Sequence, residues 1–287
     1  VKHGQIRYLW RDLKKTSTVI EKIILTSADK APAPMIAAIT LESPDKEGAM
    51  KPAPAEGGPA DQSTAKLPAT KDGKALRVLL AGGGSSHDFG LWYDREDQAI
   101  LKAAGAVTVY TTSPEEAAEQ LPNADVFLFS SNDGSYPHSA AFRKAFDAFV
   151  ARGGGLVLLH PATWYNWADW PEYNKVFVGG GSRAHDPLGE FDFKVIKPDH
   201  PVVAGVSKEF RFKDELYHIN FEPGAKVETL IEASVSSQTH KKHASVWIVS
   251  HPKCRIVAIA PGHDGDAHHH PDFRRLLVNS VNWAGGK

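Results

Sequence analysis

Residues 261–273, PGHDGDAHHHPDF, hold four histidines and three aspartates in thirteen positions. An imidazole is neutral near pH 7 yet close to protonation, so such a group suits divalent-metal binding or proton transfer. A polar loop with no chemical role is the competing reading. Other apolar, strand-like runs end on the same residue types. RVLLAGGGSS leads into His87 and Asp88, VFLFSS into Asn132 and Asp133, GLVLL into His160, and RIVAIAPG into His263 and Asp264. In open α/β sheets ligands bind outside the carboxyl ends of the strands. Four strand ends delivering His, Asp or Asn to one edge therefore favour a shared site over scattered structural histidines. His87, His160 and His263 are the candidate metal ligands, and His185, in the glycine-rich loop GSRAHDP, could complete the set. The run His268-His269-His270 cannot all point one way, so at most two of these have a functional role.

RFKDELYHI alternates, with Phe210, Phe212 and Leu216 on one face and Arg211, Lys213, Glu215 and Tyr217 on the other. Asp214 interrupts the apolar face and needs a partner if buried. A solvated strand face is the plain alternative for these polar residues. WYNWADW places Trp164, Tyr165, Trp167 and Trp170 just beyond His160. Aromatic faces can stack on the C–H face of a sugar ring, and packing of a long connection onto the sheet is the other use for them.

Such residues need a frame to hold them. From residue 76 onward strands alternate with amphipathic helices, among them HSAAFRKAFDAFVARGGG, whose Phe142, Phe146, Phe149 and Val150 share one helical face. This alternation predicts a mostly parallel sheet with helices on both faces. Beyond about residue 190 the pattern is strand-rich, HPK joins two strands as a hairpin, and PDFRRLLVNSVNWA closes the chain as a helix. Residues 1–45 hold three β-prone runs, too few for a core of their own, so they should pack on the main domain, a partner copy or a further domain. Residues 46–75, rich in Pro, Ala, Gly and Lys, read as an extended linker.

Composition narrows the classes. A net charge of −1 gives no global attraction to nucleic acid or an acidic membrane. No apolar run approaches the roughly 18 residues of a membrane span. The single cysteine, Cys254, excludes an intrachain disulfide and a cysteine-based zinc cluster, and reads as a small buried residue. The first residue is Val1, as in a processed or truncated chain, and the usage of 2 Met, 7 Trp and 14 His favours a periplasmic or exported location over a cytoplasmic one.

GGGSSHDF, GGGLVLLHPATW, GGGSRAHDP, DHPVVAGV, KDELYHI and APGHDGDAHHHPDFRRLLVNSVNWA occur in this order. Together they resemble the trehalose-utilisation (ThuA-like) family over residues 76–287. Residues 1–45 resemble, more faintly, the closing strands of a sugar-binding β-sandwich. The resemblance implies a flavodoxin-like, class I glutamine amidotransferase-like α/β fold. Amidotransferases need a cysteine nucleophile at a strand-to-helix elbow, and here GLVLL runs into His160-Pro161, so that activity is not expected.

The resemblance further implies sugar metabolism beside dehydrogenases that oxidise the C3 hydroxyl of glucosides. A C3 ketone acidifies the C2 proton, so a base assisted by a divalent metal could abstract it and release the C1 substituent. Zinc suits nitrogen-rich ligation best, with manganese, iron or nickel as alternatives. The expected base or further ligand is His185, Glu215 or Asp264, and the family's DELY element draws Asp214 into the candidate catalytic set. Asn132, Asp133, Trp164, Tyr165, Trp167 and Tyr217 are expected to contact a sugar or glycoside. A keto-sugar isomerase and a non-catalytic sugar-binding accessory protein are the alternatives, and the N-terminal strands offer a route to a homo-oligomer.

Overall fold

The computed structural model describes residues 66–71 and 73–287. The N-terminal strands expected over 1–45, and the linker as far as residue 65, lie outside the described residues. Leu67, near the end of that linker, is buried, and its amide donates to Gln120 Oε1 at 2.9 Å.

The strands are β1 (Arg77–Gly83), β2 (Val107–Thr111), β3 (Val126–Ser131), β4 (Gly155–Leu159), β5 (Gly180–Gly181), β6 (Gly189–Val195), β7 (Glu209–Asp214), β8 (Asn220–Phe221), β9 (Val227–Ala233), β10 (Ala244–Ser250) and β11 (Arg255–Ile259). Nine of them form one sheet in the order β2-β1-β3-β4-β11-β10-β9-β6-β7, and β5 pairs with β8 apart from it. The first five in that order run parallel, while β10, β9, β6 and β7 extend the sheet antiparallel. The hairpin through HPK joins β10 to β11 as the sequence predicts.

The α-helices are α1 (Asp97–Ala103), α2 (Pro114–Gln120), α3 (Ser135–His138), α4 (Ala140–Ala151), α5 (Gly265–His268) and α6 (Pro271–Ala284). Central strands are apolar throughout because both faces are covered. Leu79, Phe127, Leu156 and Leu158 pack in one cluster with Phe142, Phe146 and Phe149 of α4. Val78, Leu128, Val157 and Leu159 join Phe273, Leu276 and Val281 of α6 in the other. Ser139 caps α4 and His270 caps α6, each accepting a backbone amide two or three residues on.

Two local features depart from the sequence pattern. The alternation of RFKDELYHI predicts a strand to residue 219, yet β7 stops at Asp214, whose carboxylate accepts the amides of Glu215 and Gly262 at 2.7 and 2.8 Å. A side chain bonding its own backbone removes that backbone from the ladder. Before α1, residues Gly90–Glu96 form a wide π-helical turn, which brings Tyr93 under the sheet edge. No helix among the described residues is long and apolar enough to cross a membrane.

Candidate active site at the carboxyl edge of the sheet

β1, β3, β4 and β11 are neighbours and parallel, so the loops that follow them open on one edge. His87 follows β1, His160 follows β4 directly, and His263 follows β11. Glu215 reaches the same point from the end of β7. One ligand atom from each of these four residues lies within 4.8 Å of all the others.

His160 holds the centre. It is fully buried and sits at φ +46°, an uncommon conformation for a side chain other than glycine, at the turn where β4 ends. Gly262 passes close by at φ +135°, and a Cβ there would lie 3.4 Å from that of His160. His160 Nδ1 lies 2.5 Å from the carbonyl oxygen of Ala260, which can only accept, so the proton is on Nδ1 and the Nε2 lone pair faces the site. Around Nε2 stand His87 Nε2 at 3.0 Å, Tyr217 Oη at 3.1 Å and Glu215 Oε2 at 3.7 Å. The Tyr217 ring also stacks on His160, with centroids 4.5 Å apart. His87 Nδ1 is fixed by Ser86 Oγ at 2.6 Å.

Glu215 Oε2 stands 3.2 Å from His263 Nδ1, but not in line for a hydrogen bond, and that buried nitrogen has no hydrogen-bond partner among the described residues. A tetrahedral ion about 2.1 Å from each ligand keeps its ligand atoms about 3.4 Å apart. Three of the six separations, 3.0, 3.2 and 3.7 Å, bracket that value, and all six lie within 4.8 Å. Three imidazoles and one carboxylate are also the donors that zinc, manganese, iron and nickel accept. The residues present therefore fit a divalent ion.

The electrostatics suit the same use. Burial, then the neighbouring His160 and His263, pushes His87 down to about 2, so it stays neutral with a lone pair to offer. Burial alone would raise Glu215, but its contacts with His160 and His263 outweigh this and hold it well below the usual carboxylate range. Burial would lower His263, and the adjacent Glu215, with Asp214 and Asp264, raises it instead.

His185 stands at the rim, half-exposed, with Nδ1 2.8 Å from the carbonyl oxygen of Asp186. That contact places a proton on Nδ1 and leaves Nε2 as a lone pair, 3.7 Å from Glu215 Oε1. The Trp164 ring lies 5.9 Å from His185 and 5.2 Å from Tyr217, which makes it part of the same wall.

Other candidates take different places. Asp214 is fully buried and spends its carboxylate on backbone amides, so it positions the loop of His263 and is not free to react. Asp264 caps α5 by accepting the amide of Asp266 at 2.9 Å, and its carboxylate lies outside the four-residue cluster. Trp167 is a core residue, stacked between Phe129 and Trp170, and its indole N–H donates to the carbonyl of Asp133. It has no face left for a sugar. Tyr165 points to Glu222, with its hydroxyl 2.5 Å from Oε1, and carries Arg183 on its ring. Asp133 accepts the amide of Ser135, and Asn132 packs against Gly84, where a Cβ would meet its Oδ1.

Ser86, the Ala260 carbonyl and Tyr93, whose hydroxyl donates to the carbonyl of Gly262 at 2.7 Å, were not among the sequence candidates. A serine beside His87 is a local signal. The other two are contacts across the fold.

Fold and site define a flavodoxin-like, class I glutamine amidotransferase-like domain in which a histidine occupies the strand-end turn. The family described as ThuA, trehalose utilisation, matches residues 80–284, and the chain belongs to it. That membership ties the protein to carbohydrate use. A ThuA-like protein from Parabacteroides merdae is 20% identical, with a TM-score of 0.65 over 74% of this chain and 91% of that one. Another from Bacteroides uniformis is 22% identical, with a TM-score of 0.62 over 75% and 94%. The glutaminase domain of Trypanosoma brucei CTPS, solved with acivicin, has the same fold at 10% identity, a TM-score of 0.50 and coverage of 74% and 95%. No curated protein matches the chain in sequence. Cys254 lies just before β11, at the far end of that strand from the cluster, and burial pushes its thiol up to about 12, so it supplies no amidotransferase nucleophile.

Proposed function

We propose that the protein is a metal-assisted enzyme that cleaves oxidised, 3-keto glycosides by abstracting the C2 proton. The observation that carries this reading is the cluster of His87, His160, His263 and Glu215 at metal-ligand spacing beside a base with its lone pair free. A divalent ion held there would polarise the ketone oxygen and so acidify the neighbouring C–H. His185 takes the C2 proton on Nε2, its ring steadied by the Asp186 carbonyl. Trp164, half-buried beside His185, offers the ring face on which the sugar rests, and the buried Tyr217 backs it from behind. The electron pair freed at C2 expels the C1 substituent, which takes the proton back from His185. Water then adds across C1=C2, hydroxyl to C1 and proton to C2, to complete the cleavage. Family membership supports a sugar substrate.

The test combines elemental analysis of the purified protein with turnover of a 3-keto glucoside in deuterated water. Stoichiometric metal, deuterium at C2 and release of the C1 substituent are expected. A 2-keto product, with the glycosidic bond intact, would make the protein an isomerase. A protein that takes up no divalent metal and catalyses no exchange is not this enzyme.

A further inference from the structure

Of the three adjacent histidines, His268 alone is fully buried, at 0% exposure, and it lies beneath the site beside an equally buried Asp97. Its Nδ1 is 2.7 Å from Asp97 Oδ1 and its Nε2 is 3.1 Å from the carbonyl oxygen of Gly262. A carbonyl only accepts, so Nε2 carries a proton, and the pair shares a second proton across the Nδ1 contact. Asp97 Oδ2 has no hydrogen-bond partner among the described residues. Burying an ion pair with an unsatisfied oxygen is costly, and an apolar pair of similar volume commonly serves stability as well or better. Its use therefore lies in what it holds.

It holds one peptide group. The Gly262 carbonyl and the His263 amide belong to the same peptide plane. Tyr93 Oη and His268 Nε2 grip the oxygen at 2.7 and 3.1 Å, and Asp214 Oδ2 lies 3.4 Å from the His263 nitrogen on the other side. Gly262, at φ +135°, has no Cβ to restrict this plane by itself. The plane sets the direction in which His263 leaves the backbone. Among the described residues His263 Nδ1 finds no hydrogen-bond partner, whereas the second nitrogens of His87 and His160 are engaged.

We infer that the buried Asp97–His268 pair is a positioning device for His263, acting through the Gly262 carbonyl to set where that imidazole meets the metal. The inference rests on the metal reading proposed above. Outer groups that orient a ligand typically change metal affinity 10–100-fold when removed.

The test uses the whole 287-residue chain, as wild type, His268→Leu and His268→Gln, titrated with cobalt(II) and followed by its visible absorption. His268→Leu should bind about 10- to 100-fold more weakly with an altered spectrum. His268→Gln, whose amide can still donate to the carbonyl, should recover most of both. Wild-type affinity and spectrum in His268→Leu would overturn the inference. Should that variant not fold, Asp97→Asn is read the same way, weakened binding supporting the inference and wild-type binding overturning it. If the wild type itself binds no cobalt, the metal reading fails separately. The inference is then read from the His263 ring signals of the metal-free protein by NMR, assigned with His263→Ala. Signals displaced in His268→Leu and restored in His268→Gln support it, and unchanged signals refute it.

Discussion

An imidazole serves as a ligand when its second nitrogen is already engaged, because that fixes the tautomer and aims the lone pair. His160 meets this through the Ala260 carbonyl and His87 through Ser86. His87→Ala, His160→Ala, His263→Ala and Glu215→Gln should each lose metal after dialysis while keeping the wild-type circular dichroism spectrum. His269, exposed and outside the cluster, should be replaceable by alanine with no loss of metal. Retention of stoichiometric metal by all four variants would make these residues structural. The three histidines were legible in the sequence because each follows a run apolar on both faces, and that pattern marks a strand end. Trp167 was not, because an aromatic-rich segment does not reveal which rings turn into the core. Phe129, which stacks on Trp167, lies 38 residues earlier in the sequence.

At the scale of elements, the site depends on two loops crossing at close range. Gly262 lies where the loop after β11 passes His160. Gly262→Ala should be destabilising because φ +135° is strained for any side chain, although the new methyl would meet the His160 Cβ at an ordinary contact distance of 3.4 Å. A loss of about 1–3 kcal/mol is expected, visible as a lower Tm, together with weaker metal binding. An unchanged Tm would show that the loop can shift without cost. β1, β3, β4 and β11 could be placed from sequence because burial on both faces leaves continuous apolar runs. The end of β7 could not, since the residue that stops it, Asp214, does so by bonding amides 48 and 49 positions away as well as its neighbour. Alternation carries no information about such a partner.

For the whole molecule, the same distance in sequence separates what is local from what is assembled. Leu67 is buried in the core, and Arg77 donates to the carbonyls of Pro68 and Ala69. A chain beginning at residue 66 should therefore be more stable than one beginning at 76, by about 2–3 kcal/mol for the leucine alone. Equal denaturation midpoints would show that this segment contributes nothing. Behind the rim, a second buried network joins three separate loops. Asp186 accepts His218 Nε2 and Ser236 Oγ, each at 2.7 Å, and both the amide and hydroxyl of Ser237. Burial would raise its carboxyl, but these bonds together hold it down at about 2. An unfolded aspartate titrates near 3.9. A depressed carboxyl stabilises the fold fully above its unfolded value, and that contribution fades as pH falls through the folded one. Between about pH 4 and pH 2 the protein should lose about 2 kcal/mol from this group alone. Asp186→Asn should flatten the dependence of stability on pH across that interval, measured by urea denaturation. A variant whose acid profile matches the wild type would show that another carboxylate controls acid unfolding.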